Sequence, residues 1–138
     1  MHFVLIAAAL FGAQQPDTAV GRQREAKEGV YTKEQAEWGA ALFEQDCARC
    51  HSHREFGGDD FREAWVGRTA YDLYSRIFST MPLDQPAGLS GEQYVAIVAY
   101  ILEINGYPTG AEALGSSKDE LTGIRIRPAP RASGRSQR

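Results

Sequence analysis

The stretch Cys47-Ala48-Arg49-Cys50-His51, "CARCH", holds both cysteines of the 138-residue chain three positions apart, with a histidine directly after the second. A Cys-x-x-Cys pair serves as a redox disulfide, as half of a zinc site or as an attachment point for haem. A thioredoxin-like pair belongs to a βαβ pattern, and no segment of this chain alternates like a strand for long. A closed zinc site takes four ligands. With two cysteines, His51 and His53 would have to supply the rest, and the adjacent Cys50 and His51 could hardly both meet one tetrahedral ion. The haem reading uses every residue of the motif. On one helical turn, positions i and i+3 point the same way, so Cys47 and Cys50 can reach two vinyl groups on one porphyrin edge. His51 then lies where its imidazole can reach the iron from one face. Five residues recur by chance, so this reading asks for a second ligand.

Working outward, helical periodicity brackets the motif. Thr32-Lys33-Glu34-Gln35 has the form of a capping box, and Ala36, Gly39, Ala40, Phe43 and Cys47 then recur at helical spacing. Gly39 is costly inside a helix, and close approach by another helix explains it. A second helix is predicted to start at Thr69, with Asp72 three positions on and Ala70, Leu73, Tyr74, Ile77 and Phe78 as its apolar face. The third is the clearest. Ser90 and Gln93 form another capping box, Tyr94, Ile97, Val98, Ile101 and Leu102 make one stripe, and Asn105-Gly106 followed by Pro108 stop it. The chain therefore reads as all-α with long connections at 52–68 and 82–89. Gly57-Gly58-Asp59-Asp60 reads as an exposed turn.

The second-ligand search is short. The sequence has two methionines, Met1 and Met81. Met81 sits just past the predicted end of the second helix and is followed by Pro82, which biases its predecessor toward extended geometry. Methionine is also a common filler of irregular cores. His53 is too close to His51 to swing round to the opposite face of a porphyrin.

The ends of the chain differ from its centre. Phe3 to Ala13 is an apolar run of 11 residues, short of the ~20 needed to span a bilayer and suited to a secretory signal peptide over 1–15. No Lys or Arg precedes it. Residues 16–30 read as a flexible leader, 31–127 as one domain with a C-terminal extension, and 128–138 as a disordered basic tail. Leu114, Leu121, Ile124 and Ile126 are spaced to pin an extended segment across the body. The net charge of −3 hides an asymmetry: residues 121–138 hold five arginines and no acid. The remainder is strongly acidic, which argues against nucleic acid as a partner.

Over roughly residues 31–108 the sequence resembles the class I c-type cytochromes. Gly39, Phe43 and "CARCH" match that family's first helix and haem motif. "STMP", ending in Met81-Pro82, matches its methionine ligand, and "LSGEQYVAIVAYILEINGYP" matches its C-terminal helix. "WVGRTAYDLYSRIFSTMP" and "AYILEINGYPTGAEAL" look like cytochromes associated with bacterial quinoprotein dehydrogenases. The resemblance implies three main helices wrapped around one haem c, held covalently by Cys47 and Cys50 and ligated through iron by His51 and Met81. It implies that Trp65 binds the haem, its indole N–H bonding a propionate; simple core packing is the other reading of that residue. One departure stands out: the family's proline soon after the motif, whose carbonyl accepts from the outer nitrogen of the histidine, is absent between Cys47 and Pro82. A carbonyl in "FGGDD" (56–60) is the expected substitute.

Iron held by His and Met has no open position, and thioether sulfur favours the ferrous state. The expected role is that of a one-electron carrier rather than an enzyme, exported to the periplasm. Its partners would be redox proteins: a dehydrogenase donor and an oxidase or other cytochrome acceptor. Membrane contact would be peripheral at most. Two other functions compete: a small haem enzyme or sensor with a dissociable Met81, or a haem subunit of a larger redox enzyme. The expected apolar shell is Phe43, Trp65, Leu73, Tyr74, Ile77, Ile97 and Ile101.

Overall fold

A computed structural model describes residues 23–130. The signal-peptide expectation (1–15), the first part of the leader and the tail beyond residue 130 lie outside the described residues. Three helices form the frame: α1 (Lys33–Leu42), α3 (Ala70–Thr80) and α4 (Gly91–Ile104). Each starts where a short polar side chain satisfies an orphan amide. Thr32 accepts from the Gln35 N–H at 3.2 Å, Thr69 from Asp72 at 3.1 Å and Ser90 from Gln93 at 3.2 Å. The boxes close reciprocally at Thr69 and Ser90. At Thr32 the box stays half made, because the Gln35 amide turns to the chain beyond α4. There its nitrogen donates to the Leu114 carbonyl at 2.7 Å and its oxygen accepts from the Leu114 N–H at 2.8 Å.

Helix α4 is buried on every side from Tyr94 to Leu102. A helix apolar all round belongs in the centre of a domain, and α1 and α3 pack against it. Gly39 is the point of closest approach. A Cβ at that position would overlap the Ala96 carbonyl oxygen, lie 2.5 Å from its carbon and 3.0 Å from the Tyr100 Cβ. The glycine is a packing residue, as its cost inside a helix suggested. Helix α4 ends at Asn105, and Gly106 takes the left-handed conformation (φ +81°) that the turn requires. On α3, Ala70 and Leu73 are buried and Tyr74 and Ile77 pack at the core edge, while Phe78 is half-exposed.

Four expectations are corrected. The leader was expected to be flexible to residue 30, yet residues 23–30 fold onto the body. Arg24–Glu25 (β1) pairs in parallel with Ile124–Arg125 (β2), and Ala26 and Val30 are fully buried. The connection 52–68 contains a 3-10 turn over His53–Phe56 and a helix, α2 (Gly58–Trp65). Gly57-Gly58-Asp59-Asp60 is thus a helix start and not a free turn. Asp59 and Asp60 sit in the first helical turn, where the backbone N–H groups favour negative charge. Finally, the C-terminal extension buries Leu114, Leu121, Ile124 and Ile126 as expected, but is not extended throughout, since Lys118–Thr122 forms a short helix, α5.

Candidate haem site

The residues that follow α1 widen into a π-helical turn, Phe43–Cys47. The next turn is closed by the N–H groups of Cys50 and His51, both of which donate to the Cys47 carbonyl at 3.0 Å. That double bond presents Cys47, Cys50 and His51 on one side of the chain, and all three line a single cavity of about 680 Å³. The two cysteines form no disulfide with each other. Burial, and then the charge of Asp46, push the Cys47 thiol up from its ordinary value.

Met81 lines the same cavity from α3. Its N–H donates to the Ile77 carbonyl at 2.8 Å, ending the helix, and its backbone is extended (φ −132°, ψ 150°), as a residue before proline should be. The Met81 carbonyl accepts from the Tyr94 hydroxyl at 2.7 Å, and Tyr94 is fully buried. The loop carrying Met81 is therefore tied to the central helix at the methionine itself.

The remaining walls are mainly apolar. Phe43, Ile77, Ile97 and Ile101 were expected there and are there. Three other residues of the expected shell are not. Leu73 is buried in the core, and Tyr74 stacks on Phe78 at 5.7 Å. Trp65 does not line the cavity; it is half-buried at the core edge, with the Arg68 guanidinium 5.9 Å from its ring centroid. The sequence reading missed Phe56, Arg49, Asp46, Pro82, Leu83 and Asp84. Leu83 is 82 % exposed and marks the open side. Chain adjacency to Met81 or to the cysteines was the available signal for all of these except Phe56.

The partner of His51 also differs from expectation. It is no carbonyl in 56–60 but the Glu55 carboxylate, whose Oε2 lies 3.0 Å from His51 Nδ1. Ser52-His53-Arg54-Glu55 has the S-x-x-E form of a capping box, a signal present in the sequence. The other carboxylate oxygen accepts from the Ser52 N–H at 2.8 Å. Hydrogen bonds from His51 and then Ser52 hold the Glu55 carboxyl down at about 2. Nearby, His53 Nε2 meets Glu44 at 2.7 Å and its Nδ1 meets the Tyr100 hydroxyl.

The donor set suits haem. Two thiols and one imidazole share one wall, a thioether stands among the remaining lining residues, and the volume is that of a small-molecule or cofactor site. Among the described residues, the Asp46 Oδ2, at the same cavity, is buried with no hydrogen-bond partner. Cys47 and Cys50 would hold the ring edge, while His51 and Met81 could meet iron from two sides. Among the described residues no cluster of His, Cys, Asp and Glu could hold a bare metal ion, and no helix is long and apolar enough to cross a membrane.

Residues 34–101, just under half of the chain, match the family model described as cytochrome c oxidase, cbb3-type, subunit III. The match spans the whole frame, from the first turn of α1 through "CARCH" and Met81 to Ile101. No curated protein and no solved structure gives a significant match. The matched domain and the helical architecture together make this an all-α cytochrome c fold, and a cytochrome c domain implies covalently bound haem c.

Proposed function

We propose that this cytochrome is an exported, periplasmic one-electron carrier with His51 and Met81 as its axial ligands. It would take electrons from a dehydrogenase, of the quinoprotein type or another respiratory donor, and give them to an oxidase or another cytochrome. The observation that carries the reading is the single cavity lined by Cys47, Cys50, His51 and Met81. Haem supplies the one-electron chemistry when bound. The chain supplies the rest. Phe43, Ile77, Ile97 and Ile101 exclude water, the Tyr94 hydroxyl fixes the Met81 backbone, and the exposed Leu83 leaves one edge approachable by a partner.

Absorbance tests the reading. The oxidised protein should show a far-red methionine–iron charge-transfer band and no change on adding carbon monoxide or peroxide to the reduced or oxidised form. Met81→Ala should abolish the band and open the iron to external ligands. Met81→His should keep six-coordination and lower the potential, because thioether ligation favours the ferrous state. A wild-type spectrum that responds to carbon monoxide would favour the haem enzyme or sensor instead. The family description favours a second reading, a haem subunit of a larger oxidase. Stable co-purification with such a complex would support it over a free carrier.

A further inference from the structure

We propose that Glu55 is the positioning residue for His51: its carboxylate fixes the imidazole and lowers the reduction potential of the site below what a neutral acceptor would give. The inference rests on the reading of His51 as iron ligand.

A ligating histidine is oriented by whatever its other ring nitrogen bonds, and that partner also tunes the basicity of the ligating nitrogen. With Nε2 taken as the iron-ligating nitrogen, Nδ1 carries the proton and donates it, and Glu55 Oε2 at 3.0 Å is the acceptor. The acceptor is charged, and hydrogen bonds to an ionised partner are about twice as strong as neutral ones. Electron density pushed onto the imidazole stabilises ferric more than ferrous iron. The direction is therefore fixed: a carboxylate here opposes the potential-raising effect of the Met81 thioether.

Glu55 is held in place by its own local structure. Its second oxygen accepts from the Ser52 N–H at 2.8 Å, and the Ser52 side chain completes the capping box of the turn His53–Phe56. The two oxygens thus have separate tasks. Among the described residues, Glu55 forms no ion pair except with His51. Phe56 completes the support. Its ring stands edge-on to the imidazole, 5.3 Å away at 75°, and its carbonyl is tied to α4 through the Asn105 amide at 2.7 Å. A backbone carbonyl has no charge to give. The side chain at position 55 therefore makes the potential adjustable by substitution without altering either ligand.

The test uses the full chain with haem attached, in wild type, Glu55→Gln and Glu55→Ala. Three quantities are read: the reduction potential, the far-red charge-transfer band and the solvent exchange of the His51 ring N–H by paramagnetic NMR. Losing the charge should shift the one-electron equilibrium toward the reduced form, each tenfold of that shift reading as about 59 mV. Both variants should keep the far-red band. The ring N–H should exchange faster in Glu55→Ala, and Glu55→Asp should restore part of the wild-type potential. Unchanged potential and exchange in both Gln and Ala variants, with the band present, would overturn the role of Glu55 and leave the His51/Met81 reading standing. A wild-type protein without the band would overturn that reading, and this inference with it.

Discussion

Replacing Gly39 by alanine is the sharpest test of the packing. In a solvated helix the change would stabilise by about 1 kcal/mol, because glycine is the poorer helix former. Here the added Cβ would overlap the Ala96 carbonyl oxygen and sit 2.5 Å from its carbon. The obstacle is backbone in the middle of α4, buried from Tyr94 to Leu102. No side-chain rotation relieves it, and the two helices must separate. Overpacking costs typically 1–3 kcal/mol and occasionally more, and a backbone obstacle puts this site at the upper end. The net loss should be about 2 kcal/mol after the propensity gain. At about 4 °C per kcal/mol for a domain of this size, the melting temperature of the haem-loaded protein should fall by roughly 8 °C, and the urea midpoint by about 1 M.

Gly106→Ala serves as the control. Nothing lies within 4 Å of a Cβ there, and the residue is left-handed at φ +81°. Its loss should be the smaller strain of about 1 kcal/mol, with no effect on the haem spectrum. Gly39→Ala should also perturb the spectrum, since Ile97 and Ile101 line the cavity one helical face away from the clash. A Gly39→Ala protein that melts at or above the wild-type temperature would refute the close-approach argument.

Two further outcomes follow from the same geometry. Gln35→Ala removes both hydrogen bonds to Leu114 and should cost about 2 kcal/mol at about 1 kcal/mol each; faster amide exchange at Leu114 with an unchanged haem spectrum is the check, and unchanged exchange would sink it. At Asp72, the hydrogen bond from the Thr69 N–H holds the carboxyl below its usual range. A depressed folded value means stability that is full above the unfolded value near pH 4 and lost as pH falls through the folded one. Asp72→Asn should therefore flatten the acid limb of the melting curve between roughly pH 5 and 3; identical limbs in the two proteins would show that Asp72 contributes nothing.

What could be read from the sequence was local. Thr32, Thr69 and Ser90 announce helix starts because a cap acts across three residues, and "CARCH" is read within one turn. Gly39 was legible as a contact, and its counterpart Ala96 was not, because an alanine in a stripe of buried residues carries no mark. The pairing of Arg24–Glu25 with Ile124–Arg125 left no trace, since two-residue strands have no period and the partners lie a hundred residues apart. Gln35 shows a different failure. Its position fits the capping box, but a long-range pair of bonds to Leu114 won the side chain. Trp65 was assigned by resemblance to the haem, and its place beside Arg68 depends on the path of α2, which the sequence reading took for loop.

The burial of α4 bears on function as well as stability. The two walls of the cavity come from segments that are far apart in sequence, the turn after α1 and the end of α3. The end of α3 and the 3-10 turn that follows "CARCH" are each fastened to α4 by a side chain of that helix or its cap. Near its start, the Tyr94 hydroxyl donates to the Met81 carbonyl at 2.7 Å. At its end, the Asn105 amide donates to the Phe56 carbonyl at 2.7 Å and accepts from the Gly58 N–H at 3.1 Å. Between these anchors lies about 16 Å of helix, at 1.5 Å per residue, carrying Ile97 and Ile101 into the cavity. The spacing between the histidine side and the methionine side is thus set by a rigid element. The segment beyond the family match is part of the same arrangement. Tyr107 is buried, its carbonyl accepts from the Tyr31 hydroxyl at 2.5 Å, and its own hydroxyl donates to the Arg127 carbonyl at 2.6 Å. These bonds clamp the end of α4 between the two termini of the described chain. A site whose walls are held this firmly changes little when an electron arrives or leaves, and low reorganisation is what a carrier needs from its protein.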